Sequence, residues 1–271
     1  YNLVYNIMNC KICDSKTNQI FKAKVLLKYD VAYYQCNQCE FIQTENPYWL
    51  NEAYQNAISN LDLGLIYRNL NNEKIVSKFI NKTLNPSSKF IDYGGGYGMF
   101  VRIMRDKGFD YYRQDYYCEN LFAKFFDVTD LPENTKFELL SAFEVFEHIE
   151  NPKLEIEKML KFSDTIIFST EIQPHSNPNT NNWWYFIPET GQHISLYSKK
   201  SLEVLAKSMG LNYYGTTTIH VFSKKNLHFT FNDNFVNSFF NKLNRVANKE
   251  RPSLLGKDFE TVRKKLQSDS N

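Results

Sequence analysis

The sequence lacks the features that mark several whole classes of protein. No apolar run in its 271 residues approaches the ~20 residues that a membrane-spanning helix needs, and no secretory signal pattern is visible. The net charge is only +2, and Lys and Arg are spread along the chain, apart from a mildly basic C-terminal tail. We therefore expect a cytoplasmic globular protein without a membrane or nucleic-acid partner. Association between identical chains is left open.

Cysteine is scarce, but its spacing is informative. Of five cysteines, four form the pairs Cys10-x-x-Cys13 and Cys36-x-x-Cys39. Two such pairs place four thiolates within reach of one tetrahedral Zn²⁺, and four protein ligands leave no open position for chemistry. Disulfides are the competing explanation, but nothing else indicates a secreted protein. The spacing predicts a structural zinc-ribbon module over residues 1–45, with a small hairpin over residues 20–34.

Glycine is also scarce, and four of the ten glycines fall in the stretch FIDYGGGYG at residues 90–98. An apolar strand, a glycine turn and a helix over residues 99–107 are predicted here, with Gly108 ending the helix. Glycines allow the backbone to approach a ligand closely, and a helix start presents unpaired N–H groups. No Gly-Lys-Ser/Thr closes the stretch, and it departs from the dinucleotide fingerprint. An Asp leading the glycines favours a nucleoside ligand.

A second strand is predicted at residues 111–114, followed by Asp115. An acid at the end of such a strand can accept both ribose hydroxyls of a nucleoside; the alternative is a solvated loop Asp. Together these segments resemble motif I of the class I S-adenosylmethionine-dependent methyltransferases. The resemblance implies that the chain binds S-adenosylmethionine through the residues Asp92, Tyr93, Gly94, Gly96 and Asp115.

A third predicted strand, residues 137–142, leads into the sequence FEVFEHI at residues 143–149. Asn151 and Pro152 then start a helix as N-cap and first residue. This order resembles motif IV of the small-molecule branch of the same family, whose loop lies beside the transferable methyl group. The resemblance implies that Phe143 contacts the cofactor and that Glu144 and His148 are catalytic candidates. The alternative is that Glu147 and His148 form only a helix-start or packing pair.

A long connection, residues 170–195, follows a predicted fifth strand and holds three consecutive aromatic residues (WWY, 183–185), which either anchor the loop or form a platform for a sugar ring. Long connections of this kind are usually functional. Its end, GQHISLYS, is similar to a motif of the sugar-nucleotide C-methyltransferases. His193 matches the final His of that motif, so it is the first candidate for a catalytic base, with His148 second. Gln192 and Gly191 replace the expected Glu and His, which favours O- or N-methylation over C-methylation.

The predicted fold class is α/β, with a Rossmann-like class I methyltransferase sheet that ends in an antiparallel hairpin at residues 211–217 and 219–223. We expect four regions: the zinc ribbon (1–45), a helical linker or lid (46–85), the cofactor-binding domain (86–225) and a helical extension (226–271). A further helix is predicted at residues 119–126, and the ribbon and the cofactor-binding domain are expected to share few contacts.

The predicted function is methyl transfer from S-adenosylmethionine to a small polar acceptor, with a sugar nucleotide or glycan precursor favoured. A hydroxyl acceptor needs a base, and a His of ordinary pKa predicts that activity falls below pH ~6.5. Two alternatives remain: a protein or peptide methyltransferase that uses the ribbon for recognition, and a non-catalytic scaffold.

Overall fold

A computed structural model describes residues 8–55, 60–174, 178–228 and 254–268. Within them, the strands are β1 (Thr17–Val25), β2 (Tyr29–Cys36), β3 (Ile42–Thr44), β4 (Lys89–Tyr93), β5 (Asp110–Gln114), β6 (Leu139–Ala142), β7 (Thr165–Ser169), β8 (Ser195–Leu196), β9 (Asn212–Gly215) and β10 (Ile219–Ser223). The helices are α1 (Leu50–Ala53), α2 (Leu65–Thr83), α3 (Met99–Asp106), α4 (Pro152–Met159), α5 (Lys199–Ser208) and α6 (Leu255–Ser268).

The central sheet has six strands in the order β5-β4-β6-β7-β10-β9. The first four are parallel, whereas β10 runs antiparallel to both β7 and β9. Strand β7 is buried along its whole length, as its continuous apolar and β-branched sequence requires. The predicted α/β sheet with a terminal antiparallel hairpin is therefore confirmed.

Both faces of this sheet are covered, because neighbouring residues on each strand point to opposite sides. Phe90 joins a core with α2 and α3, while the adjacent Ile91 joins a core with α4 and α5. Leu139 and Leu140 divide in the same way between the two cores. This doubly covered arrangement leaves the carboxyl ends of the parallel strands as the edge at which a ligand can bind.

The cysteine-rich segment forms a second sheet, in the order β1-β2-β3-β8, and the predicted hairpin is present as β1 and β2. Its fourth strand comes from the far part of the chain, because Ile42 pairs with Leu196. The rings of Phe41 and Tyr197 lie 5.1 Å apart, and the Ser198 hydroxyl donates to the Cys39 carbonyl at 3.1 Å. The expectation of few contacts between ribbon and core is wrong, because apolar residues of both fill one cluster.

The predicted helix over residues 119–126 is also wrong. The segment wraps around the buried Arg113, whose Nη1 donates to the Cys118 carbonyl at 2.9 Å and whose Nε contacts Asp127 Oδ1 at 2.7 Å. The Asn120 side chain bonds both the N–H and the carbonyl of Ala123. These side-chain bonds take the backbone groups that a helix would use.

The helices predicted for the linker and the C-terminal extension are present only in part within the described residues. The helix predicted after Pro47 is limited to α1, and its later apolar positions at 57–58 lie outside the described residues. The predicted helix before β4 is present as α2. The amphipathic pattern at 235–243 also lies outside the described residues, while the charged helix near the C-terminus is present as α6. None of the helices in the described ranges has both the length and the hydrophobicity needed to cross a membrane.

Candidate functional site

The glycine stretch after β4 forms a tight loop at the carboxyl edge of the sheet. Gly94 and Gly98 have φ values of +68° and +85°, which side chains disfavour. A Cβ on Gly94 would lie 2.8 Å from Val145 Cγ2, and one on Gly98 would lie 2.8 Å from Asn120 Oδ1. A Cβ on Gly96 would meet nothing within 4 Å. A Cβ on Gly95 would lie 2.9 Å from Arg113 Cγ, so the loop packs against the protein on both sides of its centre and is open only at that centre, Gly96.

Asp115 closes this loop from the end of β5. Its Oδ2 accepts the Gly96 N–H at 2.9 Å, while Oδ1 accepts the N–H groups of Tyr117 and Cys118 at 2.7 and 2.8 Å. The carboxylate is thus held beside the open centre of the glycine loop. It is not a freely solvated loop Asp.

Asp92 lies under the loop and is almost fully buried, with 4% exposure. The Ser141 hydroxyl donates to its Oδ1 at 2.6 Å. Burial raises the pKa of Asp92 to about 7, the nearby Asp115 carboxylate adds to the rise, and the Ser141 hydrogen bond and Arg113 oppose it. Asp92 therefore exchanges its proton near neutral pH.

Glu144 begins the loop after β6 and is fixed by the end of β7. Its N–H donates to Ser169 Oγ at 2.8 Å, and the same hydroxyl donates back to Glu144 Oε1 at 2.9 Å. This double contact holds Glu144 at a φ of +55°. Its Oε2 lies 3.3 Å from Arg68 Nε in α2, and Arg68 also pairs with Asp62. Glu144 thus connects the sheet edge to the helix above it.

Three residues further along, the same loop brings Glu147 and His148 together with His193. Each of the three offers a potential ligand atom, and these atoms lie within 4.8 Å of one another. Glu147 Oε1 is 3.8 Å from His148 Nε2, and the two imidazole rings are 5.2 Å apart and nearly perpendicular. The structure therefore joins the two His residues that the sequence offered as separate candidates.

The second nitrogen of each ring is held by the protein. His148 Nδ1 lies 2.8 Å from the Tyr54 hydroxyl, and His193 Nδ1 lies 2.6 Å from the Tyr185 carbonyl. Because a carbonyl only accepts hydrogen bonds, Nδ1 of His193 carries a proton. Nε2 of the neutral ring therefore carries no proton and has a lone pair. The Ile194 N–H also donates to the Glu147 carbonyl at 2.9 Å, which fixes the two segments to each other.

Burial alters the protonation of all three side chains. It lowers the pKa of His193 to about 4 and that of His148 well below its ordinary value. It raises the pKa of Glu147 to about 8, and the neighbouring Glu144 adds to the rise. The predicted loss of activity below pH ~6.5 therefore does not fit His193, which stays neutral to a much lower pH.

The four predicted zinc ligands converge in the ribbon. The Sγ atoms of Cys10 and Cys39 are 3.5 Å apart, and Cys13 Sγ lies 3.4 Å from Cys36 Sγ and 3.6 Å from Cys39 Sγ. Four sulfurs at about 2.3 Å from a tetrahedral Zn²⁺ would be separated by about 3.8 Å. The N–H groups of Ile12 and Gln38 also point at ligand sulfurs. The cluster fits a zinc ribbon, and Cys118 lies outside it.

A family described as "Methyltransferase domain" matches residues 67–215, which is more than half of the chain. The chain belongs to this family. The glycine loop, Asp115 and the loop after β6 all lie in the matched region, and the protein is a class I S-adenosylmethionine-dependent methyltransferase. The comparison with curated proteins found no match.

Solved structures of several methyltransferases resemble this methyltransferase distantly. The magnesium protoporphyrin IX methyltransferase of Synechocystis PCC 6803 is 13% identical, with a TM-score of 0.44 over 64% of this chain and 90% of that chain. The plantazolicin methyltransferase is 11% identical, with a TM-score of 0.44 over 65% and 90%. An O-methyltransferase family 2 protein of Planctomyces limnophilus DSM 3776 is 13% identical, with a TM-score of 0.42 over 65% of each chain.

The side chains of Phe143 and Tyr93, which the sequence predicts to contact the cofactor, point to different parts of the protein. Phe143 lies at the loop after β6, where its ring packs edge-on against Phe100 at 5.1 Å. Tyr93 turns away from the glycine loop, and its hydroxyl donates to Glu155 of α4. A contact from Tyr93 to a ligand would therefore have to come from its backbone.

The sequence did not identify Glu147, Tyr54 or Tyr185 as parts of the site. Glu147 adjoins His148 in the loop that follows β6, and that placement is the only signal for it in the sequence. Tyr54 and Tyr185 come from the linker and the long connection, so only the folded chain brings them to the two His rings.

The aromatic residues of the long connection mostly anchor it to the ribbon. Trp183 and Tyr185 are buried, and Trp183 packs with Phe186 at 5.1 Å. Trp184 is 61% exposed. Of the three residues, only Trp184 offers a surface to a ligand.

Proposed function

We propose that this methyltransferase transfers the methyl group of S-adenosylmethionine to a hydroxyl oxygen of a small, polar, sugar-containing acceptor. The observation that carries this proposal is the pair of facing imidazole rings, His148 and His193, at the carboxyl edge of the sheet. Burial keeps both rings neutral at physiological pH. A neutral imidazole can accept the proton that a hydroxyl must lose as it is methylated.

On the cofactor side, we assign the open centre of the glycine loop and Asp115 to the nucleoside of S-adenosylmethionine. Asp115 already accepts three backbone N–H groups, so its carboxylate is oriented before the ribose hydroxyls arrive. Asp92, Gly94, Gly96 and Phe143 line the same edge. Arg68, beside Glu144, offers a cation for the cofactor's carboxylate.

On the acceptor side, we assign Glu144, His148 and His193 to binding the acceptor hydroxyl. S-adenosylmethionine, when bound, would supply an electrophilic methyl group; the acceptor oxygen would take the methyl group as the C–S electron pair returned to sulfur, and the hydroxyl proton would leave to an acceptor on the protein or to water. The sulfonium is already electrophilic, so alignment of the two reactants supplies most of the catalysis. The exposed face of Trp184 suits the apolar side of a sugar ring.

We further propose that the four-cysteine cluster holds one structural Zn²⁺. Strand β3 of the ribbon pairs with β8, which begins two residues after His193, and Thr44 N–H donates to the Ile194 carbonyl at 3.1 Å. The ribbon thereby supports the segment that carries His193. Peptide recognition by the ribbon has no comparable observation in its favour.

The assay offers three sets of acceptors in parallel: nucleoside-diphosphate sugars, free glycans and peptide pools. For each set, S-adenosylhomocysteine formation is measured and methylated products are identified by mass spectrometry. We expect methylation of a hydroxyl in the sugar-containing set. Methylation of peptides alone would overturn the proposal.

Cofactor binding is measured by calorimetry: Asp115→Ala should weaken it by ~1.5–3 kcal/mol, because the ribose hydroxyls lose a charged acceptor. Asp106→Ala, an exposed Asp on α3, is the matched control and should bind normally.

A further inference from the structure

Glu147 is a buried carboxylate without the partners that such a group requires. Its side chain has 0% exposure, and neither carboxylate oxygen has a hydrogen-bond partner in the part of the chain that the structure describes. The side chains that act on it electrostatically are Tyr185, Glu144 and Arg68, and His148 Nε2 lies 3.8 Å from its Oε1. A buried carboxylate without a hydrogen-bond partner destabilises a fold. The observation that points to a ligand is its position: a potential ligand atom of Glu147 lies within 4.8 Å of one from each of His148 and His193.

The two imidazole rings have the arrangement that metal ligands require. Metal-binding His residues usually donate their other ring N–H to a carbonyl or another acceptor, which fixes the tautomer and the ring direction. His193 does so to the Tyr185 carbonyl, and His148 has the Tyr54 hydroxyl at the equivalent nitrogen. The Glu147 main chain is also fixed, because its carbonyl accepts the Ile194 N–H.

We propose that Glu147, His148 and His193 bind a divalent first-row transition-metal ion such as Mn²⁺ or Fe²⁺. Two imidazoles and one carboxylate on one side of an ion form a ligand set that such ions favour and that leaves open positions. Neighbouring ligands around a six-coordinate ion with bonds of about 2.1 Å lie about 3 Å apart. The Glu147 Oε1–His148 Nε2 distance is 3.8 Å and all three ligand atoms lie within 4.8 Å of one another, so the side chains would have to move closer together on binding the ion.

The site differs from the four-cysteine cluster in its chemistry. Four thiolates close the coordination sphere of a Zn²⁺, and Mn²⁺ prefers oxygen and nitrogen ligands. The Glu147 site keeps positions open, and it lies three residues along the loop from Glu144. It is therefore placed to act on an acceptor, whereas the cysteine cluster is structural.

The role of the ion rests on the proposed transfer to a hydroxyl, and the ion would replace the imidazoles as the group that activates this hydroxyl, because a ring nitrogen that binds a metal cannot also accept a proton. Bound to an open position, the acceptor hydroxyl would be more acidic and held in line with the methyl group. Its proton would pass to water, the C–S bond would break as the C–O bond forms, and the products would be the methyl ether and S-adenosylhomocysteine. An acceptor with two adjacent hydroxyls would occupy two open positions, which favours a vicinal diol such as a sugar offers.

The test is a titration of the zinc-replete protein with Mn²⁺, in which the electron paramagnetic resonance signal of free Mn²⁺ is recorded. We expect one Mn²⁺ per chain, and at least tenfold weaker binding in Glu147→Gln and His193→Gln. The controls are Glu157→Gln and His228→Gln, which alter exposed residues outside the cluster and should bind like the wild type. Circular dichroism and S-adenosylmethionine binding verify that each variant is folded.

Metal analysis of the purified protein completes the test. The wild type could already hold a metal ion in addition to zinc. Loss of that ion in both Glu147→Gln and His193→Gln would support the site as well as Mn²⁺ uptake does. One ion per chain and no Mn²⁺ uptake would overturn it, as would uptake that Glu147→Gln leaves unchanged. Because the titration needs no acceptor, failure of the metal site is distinguishable from failure of hydroxyl methylation, and Mn²⁺ dependence of S-adenosylhomocysteine formation then connects the two.

Discussion

At the scale of single residues, the site depends on buried carboxylates with unusual protonation. Asp92 is almost fully buried and Glu147 fully buried, and burial is the main reason that the pKa of each is raised. Asp92 receives one hydroxyl hydrogen bond, from Ser141, whereas Glu147 receives none from the described residues. Such side chains lower the stability of the fold when they ionise, and this effect is measurable.

We expect Asp92→Asn to reduce the pH dependence of stability. The unfolded Asp ionises near pH 3.9, while the folded one ionises at about 7, so the native state holds an extra proton between these values. The free energy of unfolding should therefore fall as pH rises through this window, by roughly 2–3 kcal/mol between pH 5 and pH 8 on account of Asp92. Asn cannot ionise, so the variant should lack the part of the pH dependence that Asp92 contributes.

Urea denaturation of the wild type and the variant at pH 5 and pH 8 measures this difference. Asp106→Asn, at an exposed position on α3, is the control and should follow the wild type. If Asp92→Asn and the wild type show the same pH dependence, Asp92 does not hold its proton in the native state.

At the scale of elements, the start of α5 connects three parts of the molecule. Ser198 Oγ accepts the Ser201 N–H at 3.0 Å as an N-cap and donates to the Cys39 carbonyl at 3.1 Å. It also directly follows Tyr197, whose hydroxyl donates to the Phe146 carbonyl at 3.1 Å. One short segment thus fixes the helix, the ribbon and the loop of Glu147.

We expect Ser198→Ala to destabilise the protein by about 2 kcal/mol, because it removes an N-cap and leaves the buried Cys39 carbonyl without this donor. Asn151→Ala is the matched comparison, since Asn151 caps α4 through a longer, exposed bond of 3.3 Å to Leu154 N–H. It should cost less than about 1 kcal/mol. Chemical denaturation compares the two, and equal losses would show that the contact with Cys39 contributes nothing.

At the scale of the whole molecule, the ribbon and the methyltransferase sheet share one apolar cluster. Ile12 and Phe41 of the ribbon belong to the same cluster as Phe168 of β7 and Leu202 of α5. Strand pairing between β3 and β8 continues this connection through the backbone. Loss of metal from the ribbon should therefore affect the methyltransferase sheet as well.

We expect one Zn²⁺ per chain, and we expect Cys13→Ser to lower the melting temperature of the entire chain by at least about 10 °C. A structural zinc contributes several kcal/mol, and each kcal/mol shifts the melting temperature of a domain of this size by about 2–4 °C. Metal analysis and calorimetry test this, with Cys118→Ser as the control outside the cluster. A separate, low-temperature transition of the ribbon, with the remainder unchanged, would contradict the shared core.

The sequence by itself determined the parts of this protein that depend on local geometry. The glycine loop requires backbone angles that few residues other than glycine adopt, so the spacing of its glycines can be recognised from the sequence alone. The same holds for the two cysteine pairs, for the buried strand β7, and for α4 with its Asn151 cap and Pro152. In each case the signal lies within a few neighbouring residues.

Tertiary structure alone decided the features that depend on distant partners. Residues 119–126 are not helical, because burial of Arg113 captures their backbone groups. Strand β8 joins the ribbon, because Leu196 finds its partner in Ile42 rather than in a neighbouring segment. The contact of His148 with His193 depends on the same pairing. No local pattern encodes these contacts, because their energy comes from burial and pairing that exist only after the chain has folded.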